Sequence, residues 1–326
     1  MVSLKQIAES TGVSVSTASR ALNGSPSISE KTRKLIEAAA LELGYSRKRQ
    51  AAGRAIGVIV PEISSIYYAK LLHSMESAIS ENGYTMIIGV SAFTESKIVQ
   101  NIDVMSRQNI EGLICSDITI DSDGNERIIR ALRSLRTPVV LLSENSGSPE
   151  NYDCIRINHD SGIGQAVALL AEKGHKQAGI IGDKPPAARM ETFLRRLREA
   201  SISVPDRFIK IGDARFEQGG YEQMRLLLHE RNRPAAVVAL YDQMAIGALK
   251  AIRDAGLRVP GDVSLISYDN IDIGGFLPEK LTTITNPVAE MGRIAARILF
   301  HRINHPGESA TQHVLLQSKL VIRETT

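Results

Sequence analysis

The sequence predicts an all-α helix-turn-helix head followed by an α/β domain of two lobes, each built on a doubly wound parallel sheet. Three stretches of helical periodicity fill residues 3–44. From Ile56 onward, short apolar runs bounded by Gly, Pro and Asp alternate with amphipathic stretches of helical period, which is the pattern of parallel strands covered on both faces. At 326 residues the chain is also longer than one core usually organises, so several compact units are expected.

The first two predicted helices are joined by a glycine turn. The apolar positions of the first helix recur at helical spacing and are Leu4, Ile7, Ala8 and Thr11. This helix ends at Gly12, which suits a turn of positive φ. Ser14 then stands at the N-cap of a second helix from Val15 to Leu22, which Asn23-Gly24 terminates. Two short helices around such a turn make a helix-turn-helix.

A third helix and a basic linker complete the N-terminal region. The helix is predicted to start after the capping residue Ser29 and to run to Gly44. Its apolar face is predicted to consist of Leu35, Ile36, Ala39 and Leu43. The segment YSRKRQAAGRA, from Tyr45 to Ala55, is basic and poor in large apolar residues, which is typical of a linker.

The α/β domain is expected to form two lobes with a cleft between them. Its last three elements are LTTIT, VAEMGRIAARILFHRIN and HVLLQSKLVIR. They should cross between the two lobes again and complete the two sheets. The predicted boundaries are 1–45 for the helical head, 46–55 for the basic linker or hinge, and 56–326 for the two-lobed domain. One lobe then comprises about 56–157 plus 287–315, and the other about 158–286 plus 316–326.

The composition indicates a cytoplasmic protein without a membrane partner. No tract is long or apolar enough to cross a bilayer, and the N-terminus reaches Lys5 and Glu9 without the apolar stretch of a signal peptide. The two cysteines, Cys115 and Cys154, lie far apart in apolar surroundings and are interpreted as small buried hydrophobic residues. A disulfide or metal role is the alternative.

The charge is concentrated at the N-terminus. Residues 1–54 contain nine Lys and Arg against four acids, a net charge of +5, whereas the remaining residues carry 30 bases and 32 acids. A basic head on a near-neutral body indicates a polyanion as the partner of the head, because phosphate contacts supply most non-specific affinity. A charged face that is simply solvated is the alternative.

The second helix has a composition suited to a DNA groove. Its residues Ala18, Ala21 and Leu22 can face the core while Val13 closes the turn. The residues left on the outward face are Val15, Ser16, Ser19 and Arg20. Short side chains let the helix approach a groove closely, and hydroxyls and arginine can hydrogen-bond to phosphates and to guanine. A small helical cap on an enzyme is the alternative, but the turn, the charge and the linker together favour DNA binding.

These residues carry a family resemblance. The run LKQIAESTGVSVSTASRALNG followed by ISEKTRKLIEAAALELGY resembles the head of the LacI/GalR family of bacterial transcriptional regulators. Later segments match the family in the same order, and include GVIVPEISSIYYAKLLHSMESAISENGY, EKGHKQAGIIGD, DQMAIGALKAIRDAGLRVPGDVSLISYDNID, LTTITNP and LVIRE. The resemblance covers almost the whole chain and implies a two-lobed domain like that of periplasmic binding proteins.

The resemblance implies roles for residues of the head. Base-reading positions of the recognition helix match Val15, Ser16 and Arg20, and phosphate-contacting positions match Ser14, Ser19, Asn23 and, on the third helix, Thr32. Heads of this family bind as dimers to a pseudo-palindromic operator in double-stranded DNA, whose half-sites mirror the protein two-fold.

The linker departs from the family pattern. Family members usually continue through a proline turn and a hinge helix whose leucine enters the minor groove, but here Ser46-Arg47 replace the expected proline, the linker is shorter and it contains no leucine. Arg47, Arg49 and Arg54 could instead contact phosphates or the minor groove. Plain solvation of these arginines is the alternative.

Polar residues mark the predicted strand ends, where open parallel sheets bind ligands. These residues are Ser64-Ser65 with Tyr67, Asp117, Arg189, Asp242 and Asp269. Carboxylates and an arginine fork suit a small polyhydroxylated effector such as a sugar or sugar derivative. A solvated cap or an intramolecular ion pair is the alternative for each residue taken singly.

The resemblance supports four positions in the cleft. It implies that Arg189, Asp242, Asp269 and Asn286 occupy effector-binding positions of the family. Three departures distinguish this chain: Tyr241 stands where asparagine is frequent, Ser267 replaces a usual glycine, and Asn158-His159 replace a frequent Asp-Asn. The effector is therefore expected to differ from those of the best-known relatives, with Tyr241 among the residues that line its site.

Other motifs in the chain are weak. GIGQAV, from Gly162 to Val167, only approximates a dinucleotide fingerprint and is interpreted as a closely packed helix start. His301 and His305 have a spacing that could hold a metal, but they are interpreted as complementing a helix C-terminus. Since no catalytic constellation is visible, we expect no enzyme activity, cofactor or metal.

The sequence therefore predicts a DNA-binding transcriptional regulator, a repressor whose operator affinity depends on the effector. Because no leucine heptad tail follows LVIRE, a homodimer is expected rather than a tetramer. A solute-binding protein of similar shape is the first alternative, disfavoured by the basic head and the missing secretion signal. An enzyme that uses the cleft for sugar chemistry is the second.

Overall fold

The computed structural model describes residues 4–22, 25, 28–43, 54–116, 126–143, 151–184 and 188–326. The chain separates into two compact units, Met1–Arg54 and Ala55–Thr326. Each unit has a hydrophobic core of its own.

The N-terminal unit contains three helices, α1 (Leu4–Thr11), α2 (Val15–Leu22) and α3 (Glu30–Glu42). Gly12 adopts the positive φ of 66° that the turn between α1 and α2 requires. Both predicted caps form, since the backbone N–H of Thr17 donates to Ser14 Oγ at 3.0 Å and that of Thr32 donates to Ser29 Oγ at 3.2 Å. The helix-turn-helix prediction is confirmed.

The apolar face predicted for α3 is partly wrong. Leu35 and Leu43 are 55% and 40% exposed, whereas Ile36 and Ala40 are buried. The core of the unit is small, consisting of Ile7, Ala8, Ala18, Ala21, Ile36 and Ala40. Because α1 and α2 have only eight residues each, they cover a narrow stripe of α3, and Leu35, one position away from that stripe, remains in solvent. Leu43 follows the last residue of α3, Glu42.

The second unit contains two six-stranded sheets. Lobe one has the strands β1 (Ala55–Val60), β2 (Thr85–Val90), β3 (Gly112–Ser116), β4 (Val139–Ser143), β5 (Asp153–Asn158) and β11 (His313–Gln317), in the order β11-β5-β4-β3-β1-β2 with all pairs parallel. Lobe two has β6 (Gly179–Asp183), β7 (Ile209–Gly212), β8 (Ala236–Ala239), β9 (Ser264–Asp269), β10 (Thr282–Thr285) and β12 (Lys319–Val321), in the order β12-β10-β9-β8-β6-β7. Only the β10–β12 pair is antiparallel.

Helices cover both faces of each sheet. Those of lobe one are α4 (Ile66–Glu81), α5 (Glu95–Arg107), α6 (Glu126–Ser134) and α11 (Val288–Asn304), and those of lobe two are α7 (His159–Glu172), α8 (Ala188–Glu199), α9 (Phe216–Leu228) and α10 (Asp242–Asp254). In β1, Ile56 and Val58 pack into one core of lobe one and Ile59 packs into the other. Strands buried on both faces are continuously apolar for this reason, and the predicted fold class is confirmed.

The chain crosses between the lobes three times, and the crossings are hydrogen-bonded to one another. They lie between β5 and α7 at Asn158-His159, between β10 and α11 at Asn286-Pro287, and between β11 and β12 at Ser318. Tyr268, at the end of β9, contacts His159 Nδ1 at 2.5 Å and donates to Asn286 Oδ1 at 3.1 Å. Ser318 Oγ donates to the carbonyl of Asn158 at 2.7 Å. We call these crossings and Tyr268 the waist.

The weaker motifs have structural explanations. Gly162, from GIGQAV, lies inside α7, where an added Cβ would collide with Ile284 and Ser318. His305 Nδ1 lies 3.0 Å from the carbonyl of His301 at the end of α11. Cys115 and Cys154 are buried and unbridged.

Neither a metal cluster nor a membrane span is found in the described part of the chain. No three His, Cys, Asp or Glu side chains among the described residues are grouped as ion ligands would be. None of the described helices combines the length and apolar character needed to cross a bilayer.

A buried ion pair ties α11 to β5 in lobe one. Arg302 donates from Nε and Nη2 to the two carboxylate oxygens of Asp153 at 2.7 and 2.8 Å. Asp153 also accepts from the backbone N–H of Gln312 at 2.7 Å. The pair lines a cavity of about 380 Å³ that also contacts Tyr152 and Pro306.

Replacing Arg302 with Ala should lower the free energy of unfolding by about 3–5 kcal/mol, because it leaves the Asp153 carboxylate buried without its cation. Arg297→Ala is the matched control, since Arg297 lies on the exposed side of the same helix and should change stability by less than about 0.5 kcal/mol. Urea unfolding of both variants measures the difference. Equal losses would contradict the role assigned to the pair.

Candidate nucleic-acid interface and ligand cleft

The outward face of α2 is small and polar and bears a single cation. Ser14, Val15, Ser16 and Arg20 are exposed and Ser19 is half-buried, while Ala18 and Ala21 pack into the core. The helix contains no acidic residue. Ser14 Oγ also lies 2.8 Å from the hydroxyls of Ser16 and Thr17, which orders the start of the helix. This face can approach a DNA groove without repelling phosphates.

Other residues proposed for DNA contact are less exposed or lie outside the described residues. Thr32 is half-buried, with its hydroxyl 2.7 Å from Ser29 Oγ. Arg54 is exposed and is the residue directly before β1. Asn23, Arg47 and Arg49 lie outside the described residues.

An ion pair stands at the strand ends of lobe two. Arg189 in α8 and Asp269 at the end of β9 are joined through Nη1 and Oδ1 at 3.5 Å. The Arg189 guanidinium lies over the ring of Tyr268, 4.8 Å from its centroid. The pair therefore connects directly to the waist.

The backbone at the end of β9 is strained. Asp269 and Asn270 have φ values of 106° and 51°, in a region that residues other than glycine rarely adopt. The backbone N–H of Asn270 donates to Thr283 Oγ1 at 3.3 Å and that of Ile271 donates to Asp242 Oδ2 at 2.7 Å. These bonds hold the turn that sets Asp269 beside Arg189.

Asp242 supports this turn from a fully buried position. Its side chain is fully buried and accepts hydrogen bonds from Thr283 Oγ1 at 2.6 Å, from Ser267 Oγ and from the Ile271 N–H. Burial raises the pKa of Asp242 to about 6, and the hydrogen bonds oppose this shift. These bonds position the turn after β9, and the direct effector contact expected of Asp242 stays a prediction.

Tyr241 has a similar position inside lobe two. Its hydroxyl donates to Asp183 Oδ2 at 3.0 Å and accepts from the backbone N–H of Phe216 at 2.9 Å. Burial raises the pKa of Tyr241, and the Asp183 carboxylate adds to this effect. Like Asp242, this expected effector contact orders the residues around the cleft.

The remaining predicted cleft residues lie on both lobes. Ser65 stands at the N-cap position of α4, and Tyr67 is half-buried with its ring 5.0 Å from that of Tyr68. Asn286 is 7% exposed, and its Nδ2 has no hydrogen-bond partner among the described residues. Such a buried donor suits a ligand acceptor. Asp117 lies outside the described residues.

Sequence reasoning missed three charged residues that join the lobes. Arg215 Nε donates to Asp183 Oδ2 at 2.6 Å, and its Nη1 donates to Glu62 Oε2 at 2.5 Å. Glu62 follows β1 of lobe one and Asp183 ends β6 of lobe two. Searching for polar residues directly after predicted strands found Asp269 and could also have found Glu62 and Asp183. Arg215 lies three residues after β7, and nothing in the neighbouring sequence marks it.

Two further contacts bridge the lobes. The backbone N–H of Ile66 donates to Gln243 Oε1 at 3.3 Å, and Lys70 Nζ lies 3.6 Å from Asp272 Oδ1. The start of α4 therefore faces α10 and the segment after β9. Together with Arg215, these contacts show that the strand ends of the two sheets face one another across a cleft.

Two family models match the chain. Residues 3–48 match the model for bacterial regulatory proteins of the lacI family, and residues 167–326 match a periplasmic binding protein-like domain. The HTH-type transcriptional repressor PurR of Klebsiella pneumoniae is 31% identical over 337 aligned positions, which cover all of this chain and 97% of the relative.

Solved structures agree in fold along the chain. A transcriptional regulator CelR in complex with cellobiose has a TM-score of 0.72 at 25% identity, with both chains covered completely. A LacI family transcriptional regulator from Enterococcus faecium with bound ribose has a TM-score of 0.71 at 26% identity, covering 83% of this chain and 98% of that one.

The raised pKa of Asp242 makes a prediction about stability. Because the native pKa, about 6, lies above the ordinary value, Asp242 stabilises the native state fully below a pH of about 4 and loses that contribution as the pH rises through 6. Between pH 4 and 7 wild type should lose up to about 3 kcal/mol relative to Asp242→Asn. Urea unfolding of both proteins across this range tests the difference, and a constant offset between them would contradict it.

Proposed function

The chain belongs to the LacI family and is a DNA-binding transcription regulator, and we propose that it is a repressor whose operator affinity is set by a small, sugar-like effector bound between its two lobes. The observation that supports this proposal is the cleft, where contacts between the lobes bring their strand ends together and Arg189 pairs with Asp269, in a chain that also has a DNA-binding head. Lobe closure around a ligand is a common way to couple such a site to a second one.

In the head, we assign base contacts to the exposed residues of α2. Val15 can contact a thymine methyl group, Ser16 can hydrogen-bond a base edge, and Arg20 can form a bidentate pair with guanine O6 and N7. Phosphate contacts are assigned to Ser14, Ser19, Asn23 and Thr32, and further phosphate or minor-groove contacts to Arg47, Arg49 and Arg54. Ser14 Oγ accepts from the backbone N–H of Thr17, and its hydroxyl could donate to a phosphate in place of its contacts with the hydroxyls of Ser16 and Thr17.

In the cleft, we assign effector contacts to residues on both lobes. Ser65, Tyr67 and Asp117 are contributed by lobe one, Arg189 and Asp269 by lobe two, and Asn286 by the waist. Tyr241 and Asp242 hold these residues in place. The cellobiose and ribose bound to the two similar regulators support a polyhydroxylated ligand.

The charges of the described cleft residues favour a neutral ligand. Glu62, Asp183 and Asp269 face two guanidinium groups, those of Arg189 and Arg215. These residues leave no excess positive charge to hold a phosphate group. A sugar with free hydroxyls fits better, because its hydroxyls can donate to carboxylates and accept from arginine.

We also propose a homodimer. Ile273 and Phe276 follow β9 and are 47% and 83% exposed, and Ile66 is 39% exposed. The Lys70–Asp272 contact brings the segment after β9 beside the start of α4, so the two segments that carry these apolar side chains meet at one contact between the lobes. Exposed apolar patches of this kind mark interaction sites, and a two-fold dimer would match a pseudo-palindromic operator.

Arg20→Ala should weaken binding to an operator selected from random duplexes by about 1–3 kcal/mol, because a bidentate contact to guanine is lost. Arg20→Lys is the matched control: it keeps the charge for phosphates but lacks the planar fork, so it should lose the preference for the selected operator while retaining affinity for random DNA. Competition binding at constant salt measures both. A loss that is the same for all duplexes would contradict base reading by Arg20.

A neutral sugar should raise the melting temperature of the full-length protein, because a ligand that binds only the native state stabilises it. The screen should include ribose, cellobiose and their phosphates. Arg189→Ala should abolish the shift, since it removes the cation held by Asp269, whereas Arg198→Ala on the exposed side of the same helix should preserve it. A hit whose shift survives Arg189→Ala would contradict the assigned site.

A further inference from the structure

Arg215 is the strongest link between the two lobes in the described part of the chain. Its guanidinium bridges Glu62 of lobe one and Asp183 of lobe two at 2.5 and 2.6 Å. Arg215 and Asp183 belong to the same lobe, so the contact that must break when the lobes separate is the one with Glu62.

The two carboxylates that Arg215 contacts are largely buried and are held in place by other residues. The side chains of Glu62 and Asp183 are only 12% and 10% exposed. Each acid has a second partner, since Ser64 Oγ donates to Glu62 Oε2 at 3.0 Å and the Tyr241 hydroxyl donates to Asp183 Oδ2 at 3.0 Å. The hydroxyls of Ser64 and Tyr241 therefore help to orient the two carboxylates toward the Arg215 guanidinium.

Aromatic side chains from both lobes flank the guanidinium. Its carbon lies 4.8 Å from the ring centroid of Phe216 and 5.4 Å from that of Phe93, which is contributed by lobe one. Such cation–π contacts add to the attraction that holds the guanidinium in place. Opening the lobes removes Phe93 as well as Glu62 from Arg215.

The other ionic contact between the lobes is weaker by the same criteria. Lys70 and Asp272 are 3.6 Å apart, and their side chains are 47% and 89% exposed. Exposed pairs of this kind contribute little to stability. Of these two ionic contacts between described residues, the one made by Arg215 is therefore expected to contribute more to lobe closure.

We propose that Arg215 is a positioning residue of the effector cleft, whose ion pair with Glu62 holds the lobes closed when no effector is bound. The closing role of the pair does not depend on the proposed function. One consequence rests on that function: the pair then sets the operator affinity of the effector-free repressor. An effector then acts by the difference in its affinity for the closed and open lobes. The pair biases that equilibrium before any ligand arrives.

Lobe separation in the full chain can be measured without knowing the effector. Spin labels on Gln108→Cys and Arg231→Cys report it, because both positions are exposed and precede β3 of lobe one and β8 of lobe two, at the sheet ends away from the cleft. Labelled chains are diluted with unlabelled ones so that only distances within a chain are read. Cys115 and Cys154 are buried, and the protein without added cysteines controls for their labelling.

Wild type should show one main distance, and Arg215→Gln and Glu62→Gln should each add a population at longer distance. High salt should shift wild type in the same direction, because it screens the ion pair. Arg253→Gln is the matched control: Arg253 pairs with Glu279 at 2.5 Å inside lobe two, so the distances should not change. If both Arg215→Gln and Glu62→Gln keep the wild-type distances, the proposal is overturned.

Operator binding by the same variants separates this proposal from the proposed function. Coupled sites should give a change in operator Kd of roughly fivefold or more in the variants that open. Wild type that binds no duplex above random competitor, with distances that respond as described, would overturn the proposed function and leave the role of Arg215 standing. Altered operator binding with unchanged distances would overturn the role of Arg215 alone.

Discussion

The waist is the constraint on which the rest of the α/β unit depends. All three crossings between the lobes meet there, and Tyr268 contacts two of them, through His159 and Asn286. Ser318 connects the third crossing to the first by its bond to the carbonyl of Asn158. Because these groups are buried, breaking one hydrogen bond would leave polar atoms without a partner and out of contact with water. The lobes are therefore expected to pivot about the waist while its hydrogen bonds persist.

Residues of the waist position the polar residues of the cleft. The Tyr268 ring supports the Arg189 guanidinium, and the next residue, Asp269, pairs with it. Strained backbone at Asp269 persists because buried Asp242 holds the following turn. A ligand that contacts Arg189 and Asp269 would therefore contact residues that adjoin Tyr268, which contacts two of the crossings. Under the proposed function, ligand binding would act on the angle between the lobes through these residues.

Much of this architecture could be predicted from the sequence, because it depends on local patterns. Apolar runs predicted the strands, and capping serines predicted the starts of helices in the head. Polar residues after the predicted strands identified Arg189 and Asp269 as candidate cleft residues. What could not be predicted depends on distant partners. Asp242 is satisfied by Ser267 and Thr283, from strands later in the chain, and Arg215 meets Glu62 across 153 positions. The exposure of Leu35 likewise follows from how little of α3 its short neighbours cover, which periodicity does not report.

The proposed function requires that operator binding by the head and effector binding in the cleft are energetically coupled. Hydrogen–deuterium exchange of the full chain, with and without an operator duplex selected for wild type, tests this most directly, because coupling between two sites is reciprocal. If they are coupled, operator binding should change exchange in the head and also at the waist and the end of β9, around Tyr268 and Asn286. Protection confined to the head, with unchanged exchange throughout Ala55–Thr326, would contradict it.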